Sequence, residues 1–255
     1  MSNQPQRINL LDEIRGFAII CMVFFHAFYT MAYIFGWGAF DILLNFFTPA
    51  EPYFAALFIF ISGICSHLSH SNAMRGAKLA WIAAGLTLVT WVMDALMGID
   101  GTVIWFGILH LLSASMLFYA AVSGIADKIP AWVTVAVCAL LFAATYNLQY
   151  GTFGIGDLSL DVPDKIANEV LLFPFSTSAK SFYSADYFPI FPWLFIFMAG
   201  TAVGRRFKQG RIPQWFYPAH VPPIAFCGRH SLIIYLAHQP VIYLLCAAVS
   251  AIFGI

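Results

Sequence analysis

Apolar runs long enough to cross a bilayer recur along this chain, and nothing else constrains its fold as much. They fall at about residues 14–34, 53–69, 78–97, 103–125, 131–147, 189–204 and 230–252. A spanning helix needs roughly 17–25 such residues, and lipid offers backbone N–H and C=O groups no partner outside a helix or a closed barrel. The runs therefore predict an all-α integral membrane protein of about seven transmembrane helices, built as one domain over residues 1–255. Charge agrees, because only 9% of the residues are charged where soluble domains carry about a quarter. A formal net charge of zero gives no reason to expect nucleic acid or an acidic surface partner. Cys21, Cys65, Cys138 and Cys246 lie inside apolar runs and Cys227 just before the last one, so no pair has metal-site or redox spacing. The first run continues through Phe28, Tyr29, Met31 and Tyr33 with no small-residue cleavage site after it, and reads as a retained span.

Between the runs lie a polar lead at 1–11, an acid-bearing loop at 35–52 and a tight link at 98–102. The stretch 148–188 is too long for a plain connector and suits a lid or binding surface. Short interfacial or re-entrant helices at 39–47 and 167–175 remain open. Seven alternating spans put most cations, among them Arg15, Arg75, Arg205, Arg206 and Arg229, on one side, and leave Lys165 and Lys180 on the other. The basic side is cytoplasmic by the positive-inside rule. The amino terminus is then inside and the carboxyl terminus outside.

Arg15 and His26 stand eleven residues apart in the first run. On a helix that spacing returns to within about 20° of the same face and climbs roughly 16 Å, half a bilayer. An ionisable group at such depth reads as functional unless it only bonds a neighbouring helix. Arg15 falls in the first helical turn, where exposed amides, the helix dipole and a guanidinium suit phosphate. Arg75, Arg205, Arg206 and Arg229 could add to that site, although topological anchoring is the ordinary role for each.

Two further imidazoles reach comparable depth, His110 within Phe106-Gly-Ile-Leu-His110 and His238 within Tyr235-Leu-Ala-His238-Gln239-Pro240. A shared polar cavity holding His26, His110 and His238 is the expectation, with interhelical hydrogen bonding as the alternative for the last two. Asp94 and Asp186 sit at the outer mouth, Asp186 next to Tyr187, and simple hydration would also account for the acids. His67, His70, His220 and His230 fall near run ends and carry no special reading. No metal site is expected.

These motifs resemble those of known membrane acyltransferases. Arg15 and His26 have the Arg-x10-His spacing of the acyltransferase-3 proteins. Leu11-Asp-Glu-Ile-Arg15-Gly16, Phe-Ile-Ser62-Gly63, Asp186-Tyr-Phe-Pro189 with Pro192-Trp193, and the segment from Gly228 to Pro240 are similar to bacterial proteins related to the catalytic domain of heparan-alpha-glucosaminide N-acetyltransferase. The resemblance covers nearly the whole chain. It implies transfer of an acetyl group from cytoplasmic acetyl-CoA to a sugar or glycan acceptor across a bilayer, here the bacterial inner membrane. The lysosomal enzymes resemble this chain with two departures: it has no histidine at 35–52, and it carries His26 where they have asparagine. The role of His26 as base is carried over from the Arg-x10-His pattern.

The leading reading is an acetyl-CoA-dependent O- or N-acetyltransferase. In it, His26, His110 and His238 serve the chemistry, and Arg15, Arg75, Arg205, Arg206 and Arg229 bind the donor. Asp94, Asp186, Tyr187 and Gln239 meet the acceptor. The bilayer is a partner, and a homodimer stays open. A proton-coupled transporter is the alternative, since buried histidines also relay protons, though no internal repeat supports it. A non-catalytic assembly subunit would rest only on the packing surface at Ser62 and Gly63.

Overall fold

The computed structural model describes residues 7–97, 102–177, 179, 182–210 and 212–254. Most of the polar lead, the 98–101 link, Lys180 and Arg211 lie outside the described residues. Most of the described residues are helical, and the two short strands pair in one hairpin.

Helix α1 (Asn9–Tyr29) passes into a π-helical turn at Thr30–Ile34. After a short break come α2 (Asp41–Phe47), a 3₁₀ turn (Thr48–Ala50) and α3 (Glu51–His67). The expected loop at 35–52 is thus mostly helix. Asp41 stands in the first turn of α2, Leu44 is buried, and Thr48 Oγ1 donates to Leu44 O at 2.8 Å, so the polar residues start and brace short helical pieces. Helices α4 (Asn72–Met97), α5 (Ile108–Ala126) and α6 (Ala131–Thr145) follow. The long stretch after α6 forms β1 (Thr152–Phe153) paired antiparallel with β2 (Leu160–Asp161), then α7 (Asp164–Ala167). The chain ends in α8 (Ile190–Lys208), α9 (Pro222–Arg229) and α10 (Ser231–Phe253).

Six helical stretches among the described residues are long and apolar enough to cross a membrane, and this is an integral membrane protein. The run expected at 189–204 lies in α8, whose prolines and last-turn Arg205, Arg206 and Lys208 leave it the least apolar of the seven. Large apolar side chains face outward on these helices, including Trp81, Leu88, Leu96, Leu140, Leu244 and Ile252. Such faces suit lipid, which asks only that backbone polar groups be paired inside the helix.

Contacts divide the chain into two compact units, Met1–Ile61 with Ile212–Ile255, and Ser62–Arg211. In the first, α1 packs on α9 and α10. Gly16 and Gly228 permit the closest approach: a Cβ on Gly16 would land on the Ile224 carbonyl, and one on Gly228 on the Asp12 carbonyl. In the second, α4 packs on α5 and α8 on α5 and α6. There Gly63 lies against the backbone of Phe197 and Gly200, and Gly204 against Ile64 and His67. Small residues at these crossings do what they do in membrane bundles generally, letting helices meet backbone to backbone.

Candidate active site

The first turns of α1 concentrate charge in the first unit. Asp12 and Glu13 are both buried. Arg7 Nε donates to Asp12 Oδ2 at 2.6 Å, and Arg15 Nη1 stands 3.9 Å from Asp12 Oδ1. Glu13 Oε1 accepts the backbone N–H groups of His220 and Val221 at 2.5 and 2.7 Å, the entry to α9. The sequence places both acids where their own helix dipole favours them; Glu13 instead serves the amino end of another helix. Arg15 is partly buried with a carboxylate neighbour, so a phosphate arriving there would compete with Asp12 for the guanidinium. Arg229 is exposed in the last turn of α9.

His26 occupies the last turn of α1, immediately before the π-helical turn. Wide turns of this kind recur at functional sites because they re-aim side chains within a helix. His26 and His238 stand with ring centroids 5.0 Å apart. The structure brings together these two of the three expected imidazoles. His238 Nδ1–H donates to Tyr235 O at 2.5 Å, which in the neutral ring makes Nε2 the acceptor. No hydrogen bond to either nitrogen of His26 occurs among the described residues. Gln239 follows, its Nε2 donating to Thr30 Oγ1 at 3.1 Å while its buried Oε1 lacks a partner among the described residues. Pro240 sits inside α10 and cannot donate to the carbonyl four residues back. The result is an imidazole pair, an amide oxygen and a helix irregularity on each side.

His110 belongs to the second unit, and both its nitrogens are engaged there. Gly107 N–H donates to Nδ1 at 3.3 Å, which places the ring proton on Nε2; that atom donates to Thr87 Oγ1 at 3.2 Å, and Thr87 donates to Ile104 O at 2.6 Å. His110 thereby closes the amino end of α5. Asp186 Oδ2 does the same from outside, accepting Ile108 N–H at 3.0 Å, while Tyr187 pairs with Phe106 in a parallel bridge. Tyr187 Oη donates to Phe173 O at 2.9 Å, and burial pushes its phenol up to about 12. Asp94 accepts from Thr102 Oγ1 at 3.4 Å. Arg205 spends Nη1 on the carbonyls of Asp127 and Ile129 at 3.0 and 2.5 Å, whereas Arg75 and Arg206 are exposed.

A network with no sequence signal also lies in this unit. His67 Nδ1–H donates to Tyr119 Oη at 2.5 Å, and Tyr119 donates to Asp127 at 3.0 Å. The three residues come from a helix end, a helix interior and a turn, so neither spacing nor motif links them. No cluster of three metal-ligating side chains occurs among the described residues.

The family profile described as heparan-alpha-glucosaminide N-acetyltransferase, catalytic, matches residues 7–240. The chain belongs to that family. The heparan-alpha-glucosaminide N-acetyltransferase match takes in Arg15, His26, His238 and Gln239, and it extends over both compact units. Family membership makes this a membrane protein of the acetyltransferase type. No curated protein and no solved structure matches the chain.

Proposed function

We propose that the protein transfers an acetyl group from acetyl-CoA, taken up at the basic and cytoplasmic side, to a hydroxyl or amine of a sugar or glycan on the other side of a bacterial inner membrane. The observation that carries this reading is the His26–His238 pair, half a bilayer along α1 from Arg15, with no hydrogen bond to His26 among the described residues. His26 accepts the proton as the acceptor oxygen or nitrogen attacks the thioester carbonyl. The carbon–sulfur bond breaks, the acetyl group passes to the acceptor, and the thiolate leaves to be protonated. His238, with Nε2 as its acceptor, faces the imidazolium that forms on His26. A general base of this kind contributes about 10²–10⁴-fold.

Gln239 Oε1 supplies a buried acceptor for an N–H or O–H group brought by either substrate, which relieves an otherwise unpaired amide oxygen. Arg15 is the cation of the donor phosphates, Asp12 setting how strongly it holds them. Arg229 lies in the same unit as a second cation for the donor. His110, Asp186 and Arg205 hold helix ends in the second unit, and their effect on transfer would run through that scaffold. Purified protein incubated with acetyl-labelled acetyl-CoA and cell-envelope sugars should pass label to the sugar and release free thiol in equal amount. Label that stays on the donor, together with tracer uptake into vesicles that needs no CoA ester, would replace this reading with transport.

A further inference from the structure

We propose that Glu13 is a positioning residue for the reaction, fixing where His238 stands relative to His26; the inference rests on the acetyl-transfer reading above. Helix α1 carries His26 near one end and a clamp near the other, thirteen residues or about 20 Å away. The clamp has three parts. Asn9 Nδ2 donates to Tyr217 O at 2.7 Å. Glu13 Oε1 takes the N–H groups of His220 and Val221, and its Oε2 lies 3.4 Å from His220 Nδ1. Gly16 and Gly228 then bring the two backbones together at Ile224 and Asp12.

The gripped segment is continuous with the helix that bears His238: α9 ends at Arg229, His230 is both its carboxyl cap and the amino cap of α10, and His238 lies two turns further on. Farther along, Gln239 ties α10 to Thr30. The same two stretches of chain are thus fastened at both ends, with the imidazoles beside the second fastening. Of the first set, only Glu13 is charged and makes two backbone hydrogen bonds from one oxygen. A slip of one residue between α1 and α9 shifts the register by about 1.5 Å. A misplacement of that order lowers rate while leaving donor binding in place.

The test uses the full-length protein, with acetyl-CoA and a sugar acceptor at saturation. Glu13→Ala should lower kcat by roughly tenfold or more, with the donor KM changed by less than about threefold. Glu13→Gln, which keeps an acceptor oxygen in place, should recover most of that loss. Glu13→Asp, which withdraws the carboxylate by one methylene, should fall between them. His220→Ala removes neither backbone donor and should stay within about twofold of the wild type. If Glu13→Ala does not fold, Glu13→Asp and Asn9→Ala decide, both being expected to lose kcat at unchanged donor KM. Wild-type kcat in Glu13→Ala, or in those two substitutes, overturns the proposal, as do equal losses in Glu13→Gln and Glu13→Ala. Undiminished transfer by His26→Ala would instead defeat the underlying chemistry, whatever Glu13 does.

Discussion

Replacing Gly228 with alanine tests the contact on which the first unit is assembled. The new Cβ would fall on the carbonyl of Asp12, with the backbone N of Gly16 the next atom met. Neither is the end of a flexible side chain, so α9 has to back away from α1 until the carbon reaches an ordinary separation of about 3.5 Å. Overpacking alone costs about 1–3 kcal/mol. The retreat also stretches the two hydrogen bonds from His220 and Val221 to Glu13, each worth about 1.5–3 kcal/mol because the acceptor is charged. The combined loss is about 4–9 kcal/mol if both hydrogen bonds break. Thermal melting in detergent is the assay, with Gly85→Ala and Gly124→Ala as controls: both glycines are helical and exposed, and a Cβ there meets nothing within 4 Å. The controls should hold or gain stability, since alanine favours a helix over glycine by about 1 kcal/mol. Gly228→Ala melting with the controls would show that α1 and α9 do not meet backbone to backbone, and the register argument would go with it.

Tyr119→Phe removes the hydroxyl that joins half-buried His67 to exposed Asp127, and should destabilise the protein by about 0.5–1.5 kcal/mol in a melting experiment, the net worth of an ordinary hydrogen bond. Asp186→Ala takes the outside cap from α5; a loss of about 1 kcal/mol is expected, with the acceptor KM unchanged if capping is its whole role. The Tyr187 phenol is raised by burial to about 12 while donating to Phe173 O. Its contribution to stability should therefore be complete below the unfolded value of about 10 and fade as pH rises through the folded one. Tyr187→Phe should lack that alkaline loss when melting is followed against pH.

The sequence made some of this legible because it lay within one helix. Arg15 and His26 share α1, as their spacing requires, and His238 sits in a proline-bearing span, as its motif suggests. The pairing of His26 with His238 was approachable only through depth, which says nothing of facing. Residues 35–52 read as a loop carrying Asp41 and Glu51; in the fold both acids stand in the first turns of helices, and Pro49 opens the 3₁₀ turn between them. The partners of Glu13 lie more than two hundred residues away, and no local pattern distinguishes an acid serving its own helix dipole from one capping another helix. His110 offered the opposite difficulty. Its place in an apolar run suggested chemistry, but Gly107 and Thr87 take both its nitrogens for the helix end.

The most direct test separates donor binding from transfer in a single variant. His26→Ala should bind acetyl-CoA with nearly wild-type affinity, because Arg15 and the start of α1 are untouched, and should lose about 10²–10⁴-fold in acetyl transfer to a sugar acceptor. A folded His26→Ala protein that transfers acetyl groups at the wild-type rate would contradict the account.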